Sequence, residues 1–235
     1  MSRFKEFSVG SAFFNKLINT CYGLDLTDRS TIIVPMTNLD TSQQRILNSA
    51  RDLIYSRSYS DVGVAEICEH AGVQKGSFYH FFASKRDLTL AVLDIYFTIA
   101  KEQLVDKAFA TDLSPLARLD RFAKLTYKFQ VQTMRDTGRV LGCPIGNLAT
   151  ELATQDEAIR TKISHLFTEL QASIRQVVKD AVKAGELVDV NIEATAQAML
   201  AYFEGVLLLA KTQNDPEVVR QLLPAIAHVH IPKRR

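Results

Sequence analysis

The chain has 235 residues, 47% hydrophobic and 23% charged, enough to bury a core in one or two domains. Its 28 basic against 26 acidic residues leave a net charge of +2, which excludes a histone-like or basic-tailed binder; a nucleic-acid function would have to rest on where the charges sit. No window reaches the roughly 18 consecutive apolar residues of a membrane span, and three scattered cysteines (Cys21, Cys68, Cys143) without a CxxC pair suit a reducing, cytoplasmic setting.

Long stretches follow the 3.6-residue period and almost none alternate, so the fold class is all-α. Residues 1–39 are the exception. Scattered aromatics, a short β-like run at Thr31–Val34 and Pro35-Met36 hold no period beyond two turns. They are expected to form a poorly ordered extension, with Met36 a candidate for the true start. Lys16 interrupts the N-terminal apolar stretch, so no signal peptide is expected.

Thr41 and Gln44 form a capping box, and Ile46, Leu47, Ala50, Leu53 and Ile54 line one face of a first helix. After the turn at Tyr59-Ser60-Asp61, a short helix spans about Val64–His70 with Ile67 inward, Ala71-Gly72-Val73 makes a tight turn, and a third helix spans Gln74 to about Phe82. A long helix follows from about Ser84 to Ala108. Pro115 opens a helix running towards Gly138, and Cys143-Pro144 opens a short one through Glu151. Thr154-x-x-Glu157 reads as a second capping box. It starts a helix whose apolar stripe (Ile159, Ile163, Phe167, Leu170, Ile174, Val177, Ala181) continues to a stop at Gly185. The helix at about Ile192–Lys211 is apolar nearly all round, which predicts cover on more than one side. Asp215-Pro216 caps a last helix that Pro224 kinks or ends.

The stretch from Val62 to Leu88 carries the chemistry. Two short helices joined by a glycine-containing turn make a helix-turn-helix, at about 63–82. Phe78 and Phe82, four apart, anchor the third helix to the core. The opposite side then presents Gln74, Lys75, Ser77, Tyr79 and His80. Gln suits adenine, Lys guanine or phosphate, and the Ser and Tyr hydroxyls phosphate oxygens. Gly76 lets backbone approach closely, while Lys85 and Arg86 are placed to clamp an adjacent strand. Against this, residues 40–100 hold six basic and seven acidic side chains, and helix-turn-helix pairs also occur in proteins that never touch DNA.

Residues 42–88 resemble the N-terminal domain of the TetR family of bacterial transcriptional regulators. The resemblance rests on Ile46-Leu47-x-x-Ala50, Leu53-Ile54, Tyr59, Val64-x-x-Ile67 and Ala71-Gly72-Val73. Its most specific part is Lys75-Gly76-Ser77-Phe78-Tyr79-His80-Phe81-Phe82-x-Ser84-Lys85-x-x-Leu88. That string is similar to the subgroup with KGSFYHYF recognition helices, many of which sense small reactive or organic compounds. Gly63 stands where the family often has Ser or Thr, and Ser58 where it has a turn glycine. In the second half, Gly142–Leu148 resembles a segment of some members. The resemblance implies a homodimer: residues 40–100 binding a palindromic operator in double-stranded DNA, residues 101–235 forming a helical bundle that dimerises and binds a small-molecule effector. The alternative is a helical small-molecule-binding protein without operator binding.

Tyr127, Cys143, Asn147, Phe167 and Phe203 are candidates to meet an effector. Cys143 precedes a proline-led helix N-terminus, where the dipole can lower a thiol pKa, although a plainly packed cysteine is the commoner case. His165 has surface or core packing as its default, and His228-x-His230 lacks further ligands at metal spacing. No catalytic signature string occurs; neither enzyme activity, a metal nor a cofactor is expected.

Overall fold

The computed structural model describes residues 41–233. The expected extension at 1–39, with its Thr31–Val34 run and Met36, lies outside the described residues, as does the Thr41 side chain of the first capping box. The described residues are helical, without strands; Val190 and Pro232 form an isolated antiparallel bridge. The chain divides into two units, with the boundary between Val92 and Leu93.

In the first unit, α1 (Thr41–Ser56), α2 (Val64–Ala71), α3 (Lys75–Phe81) and the start of α4 (Lys85–Ala100) surround a small core. Ile46, Ala50, Ile54, Val62, Ile67, Phe78, Leu88 and Val92 are buried. Arg51 is also buried, and its Nε donates to Asp52 at 2.8 Å. The α2–α3 turn is closed by Gly72 at φ +63. Gly72 N–H donates to Glu69 O at 3.0 Å and Val73 N–H to Cys68 O at 2.9 Å, a six-residue closure that needs a left-handed residue at that position. Ser84 and Asp87 cap α4 reciprocally: Ser84 Oγ donates to the Asp87 carboxylate (2.7 Å) and accepts from Asp87 N–H (3.1 Å). Ser58, in the place of a turn glycine, accepts from Asp61 N–H at 3.2 Å.

The second unit begins within α4. Its helix widens into a π turn at Lys101–Val105 before a last α-helical turn at Asp106–Ala108. Then come α5 (Pro115–Thr137), α6 (Pro144–Leu152), α7 (Glu157–Lys183), α8 (Ile192–Gln213), α9 (Glu217–Leu222) and a 3₁₀ turn (Leu223–His228) containing Pro224. Prolines open α5 and α6 as expected. The start of α7 differs from expectation. Its N-cap is Asp156, whose Oδ1 accepts from Ile159 N–H at 3.1 Å, so no Thr154–Glu157 box forms. Gln155 and Asp156 N–H both donate to Leu152 O, which carries the preceding turn past Thr154 and leaves the carboxylate to meet the first free amides.

The α7 stripe is largely covered within the chain: Ile159, Ile163, Ile174, Val177 and Ala181 are buried, Phe167 and Leu170 half-buried. By length and composition alone α8 could cross a membrane, yet here it is a packed core helix. Ala196, Met199, Phe203, Val206, Leu207 and Ala210 are buried. Its exposed large apolar side chains are Leu208 and Leu209, 59% and 46% exposed.

Candidate nucleic-acid interface and candidate effector site

The α2–turn–α3 element follows from the sequence directly. Phe78 is fully buried and meets Phe82 at 6.0 Å between ring centroids, which fixes the rotation of α3 about its axis. The remaining positions must then face outward. Gln74 is the N-cap, its side chain making no cap bond. Gln74, Lys75, Gly76, Tyr79 and His80 are exposed and Ser77 is half-buried. Tyr79 is 57% exposed, unusual for a large aromatic. Its ring meets Phe78 edge-on at 5.1 Å, and His80 meets Phe81 at 4.8 Å, so both project from braced positions.

Lys85 differs from the freely presented clamp expected of it. Its Nζ donates to Tyr59 O at 2.5 Å and sits 3.9 Å above the centre of the Tyr59 ring. It thereby ties the start of α4 to the turn after α1. Arg45, not singled out by sequence reading, is exposed; its guanidinium reaches Gly72 O at 3.4 Å across the helix-turn-helix. Gly63 is the N-cap of α2 and leaves its first turn without a side-chain cap.

In the second unit Phe203 belongs to one buried cluster against which Tyr127, Cys143 and Phe167 pack, while Asn147 is not part of it. Tyr127 OH donates to Glu217 at 2.5 Å and so joins α5 to α9; that bond raises the phenol's pKa. Asn147 is spent on structure: Nδ2 donates to Leu141 O at 2.9 Å and Oδ1 accepts from Lys211 Nζ at 2.8 Å. Phe167 is half-buried against the core. Phe203 is buried and meets Phe122 at 5.1 Å, with Phe109 on the other side of Phe122 at 5.3 Å.

Cys143 is the N-cap of α6, its Sγ accepting from Gly146 N–H at 3.3 Å. The expected lowering of its pKa by the helix dipole is not what the site produces. Burial first, and the neighbouring Glu204 carboxyl second, push the thiol well above its ordinary value, outweighing the bonds to the α6 amides. The thiol is therefore held protonated, the form that does not attack electrophiles. Sequence reading missed Glu204. Burial pushes its carboxyl up from the ordinary 4.5 to about 7. A Cβ on Gly146 would run into its Oε2, so the glycine makes the room that the carboxyl occupies. The preceding loop is fixed by Gln130, buried on α5, which accepts from Gly142 N–H (3.3 Å) and donates to Gly142 O (3.2 Å). Gly142 has φ +73, and a Cβ there would lie 3.4 Å from Leu207 O of α8. Among the described residues no group of three or more His, Cys, Asp or Glu is placed to hold a metal ion.

Comparison with known proteins agrees with this geometry. Residues 46–92 match the family described as "Bacterial regulatory proteins, tetR family", and residues 115–226 match "Tetracyclin repressor-like, C-terminal domain". The chain is 34% identical over 182 residues to an uncharacterized HTH-type transcriptional regulator in the lacX 3′ region of Lactococcus lactis subsp. lactis, covering 77% of this chain and 89% of that one. It is 33% identical over 178 residues to the transcriptional regulator AcuR of Cereibacter sphaeroides, covering 75% and 79%. The crystal structure of regulatory protein TetR from Rhodobacter sphaeroides superposes with a TM-score of 0.73 at 30% identity, covering 82% of this chain and all of that one.

Proposed function

The chain belongs to the TetR family of bacterial transcriptional regulators, and from that premise we propose that it is a ligand-responsive repressor, binding a palindromic operator as a homodimer and released by a small molecule. The observation that carries this reading is the outward face of α3. A short helix pinned by the fully buried Phe78 holds Lys75, Tyr79 and His80 in solvent, where a recognition helix would present them to the major groove. Gln74 and Lys75 read base edges or phosphate at the helix start. Ser77, Tyr79 and His80 contact the backbone, and Gly76 permits close approach. Lys85 acts one step back, bracing α4 through Tyr59. The α3 string keeps its similarity to the KGSFYHYF subgroup.

In this reading residues 40–100 are the DNA-binding domain and residues 101–235 the ligand-binding and dimerisation domain. One helix-turn-helix reads too few base pairs for genomic specificity, so two copies on a two-fold axis engage half-sites roughly 34–36 Å apart. The exposed Leu208 and Leu209 on α8 suit an isologous helical interface. A dimer on its operator blocks transcription, and an effector that favours a state with mismatched half-site spacing relieves the block. The half-buried Cys143, its thiol held protonated, favours a noncovalent effector over thiol addition.

Operator binding by the full chain, followed by fluorescence anisotropy on DNA from upstream of its own gene, tests the reading. Lys75→Ala and Tyr79→Ala should each weaken binding with unchanged helical content. Loss of a phosphate contact should flatten the salt dependence by about one unit of slope. Wild-type affinity in both variants would remove α3 as the recognition helix.

A further inference from the structure

Two buried polar atoms in the second unit have no hydrogen-bond partner among the described residues: Thr126 Oγ1 on α5 and Glu204 Oε1 on α8. Thr126 is 1% exposed. A buried threonine in a helix ordinarily donates to the carbonyl four residues back, as Thr133 and Thr137 of this same helix do; Thr126 does not. An unpaired buried hydroxyl destabilises the fold, and an unpaired carboxylate oxygen does so more.

Contacts of the flanking residues place these two side chains on neighbouring elements of one core. Phe122, Thr126 and Gln130 follow one another at four-residue steps along a single face of α5. At one end Phe122 meets Phe203, the residue before Glu204, with the rings tilted by 41°. At the other end Gln130 bonds both backbone groups of Gly142, the residue before Cys143. The Glu204 carboxyl lies beside the Cys143 thiol in the space left by Gly146. The unpaired hydroxyl thus lies midway along the face of α5 that meets α8 at Phe203 and the loop before α6 at Gly142, and the carboxyl that carries the unpaired oxygen lies on α8 beside Cys143. Phe109, Phe122 and Phe203 follow one another as a ladder of rings.

We propose that Thr126 and Glu204 are the polar anchors of the effector site, taking a small uncharged molecule with an apolar, aromatic body that donates an N–H or O–H to Glu204 Oε1 and accepts from Thr126 Oγ1. This rests on the reading of residues 101–235 as the ligand-binding domain. The primary amide is the chemical class that carries both functions on one planar group. Cys143 is a positioning residue: its thiol meets the carboxyl and does not react.

The test uses the full-length protein at about pH 8, where Glu204 is ionised, and three probes of one shape: benzamide, N,N-dimethylbenzamide, which keeps the acceptor but has no donor, and benzoate, which is an anion. Binding is read by calorimetry and by thermal shift. Benzamide should bind, and the dimethyl amide and benzoate at least about tenfold more weakly, the worth of one hydrogen bond to a charged group. Thr126→Val and Glu204→Leu should each weaken benzamide by a similar factor, yet raise the melting temperature without ligand, because each removes a polar atom that the fold leaves unpaired. That opposition of signs separates anchoring from a structural role. Equal binding of both amides, no binding of benzamide at about 10 mM, wild-type affinity in both variants, or a lowered melting temperature in both would each overturn the proposal. Operator release by benzamide is a separate readout: binding without release keeps the anchors and removes the effector reading.

Discussion

Replacing Glu204 with glutamine should stabilise the protein, and should do so only above a particular pH. Burial raises the carboxyl from the ordinary 4.5 to about 7, so the folded state binds more protons than the unfolded one across that window. Stability therefore falls as pH rises from about 4.5 to about 7 and is flat beyond it. The shift converts, at 1.36 kcal/mol per unit, to about 3 kcal/mol lost by the wild type once the group is ionised. Glutamine has the same shape and never ionises. Near pH 8 Glu204→Gln should be more stable by up to about 3 kcal/mol, and near pH 4.5 the two proteins should be equal or the variant slightly weaker, since its amide must find partners of its own. The neighbouring Cys143 thiol, raised above its ordinary value, stays neutral throughout the window and adds no slope. The chain has no tryptophan, so urea unfolding is best followed by circular dichroism, at one protein concentration because the proposed dimerisation would contribute to the midpoint. A stability difference that is the same near pH 4.5 and pH 8 would refute the buried, ionising carboxyl.

Gly63→Ser should supply the missing side-chain cap of α2. Gly63 has extended φ and ψ and open space where a side chain would project, so a gain of a few tenths of a kcal/mol is expected by thermal melting, with tighter operator binding. Leu208→Asp combined with Leu209→Asp removes the exposed apolar pair of α8 and should shift the protein to monomer in sedimentation, with operator affinity falling in parallel; a persisting dimer would place the interface elsewhere. Gly142→Ala meets both a left-handed φ and the Leu207 carbonyl and should cost about 1–2 kcal/mol in urea unfolding.

Most of the fold was legible because its signals are local. Helix periods, Pro115 and Pro144 at helix starts, Gly72, Gly138 and Gly185 at stops, and the Phe78–Phe82 pair each act within one or two turns. The outward face of α3 followed from the same arithmetic. Where two local signals competed, as at Thr154 and Asp156, residue type alone did not decide, since both side chains can cap and the path of the preceding turn made the choice. The polar contact between Cys143 and Glu204 was legible only in part. Cys143 was singled out by type, but Glu204 meets it across 61 positions of sequence, and a glutamate carries no sign in the sequence that its carboxyl will be buried. Thr126 is hidden for a related reason: its distinction is a bond it does not make. Asn147 was chosen for the amide groups that the fold joins to Leu141 and Lys211, and Tyr127 was chosen as an aromatic, with its hydroxyl here on Glu217.

The π turn at Lys101–Val105 sets the angular phase of the chain beyond it. Tyr96, Val105 and Ala108 are all buried, yet in an unbroken α-helix the nine residues from Tyr96 to Val105 would turn by about 900° and leave the two on opposite sides. The wide turn absorbs one residue. The separation then behaves as eight, bringing Val105 to within about 80° of Tyr96 and Ala108 round with it. An extra residue is tolerated here because the helix stores it as width instead of passing it on as rotation. Deleting one residue inside Lys101–Val105 would let the helix close to regular α with Val105 and Ala108 still facing inward, whereas the same deletion in the regular helix just before it would swing both by about 100°.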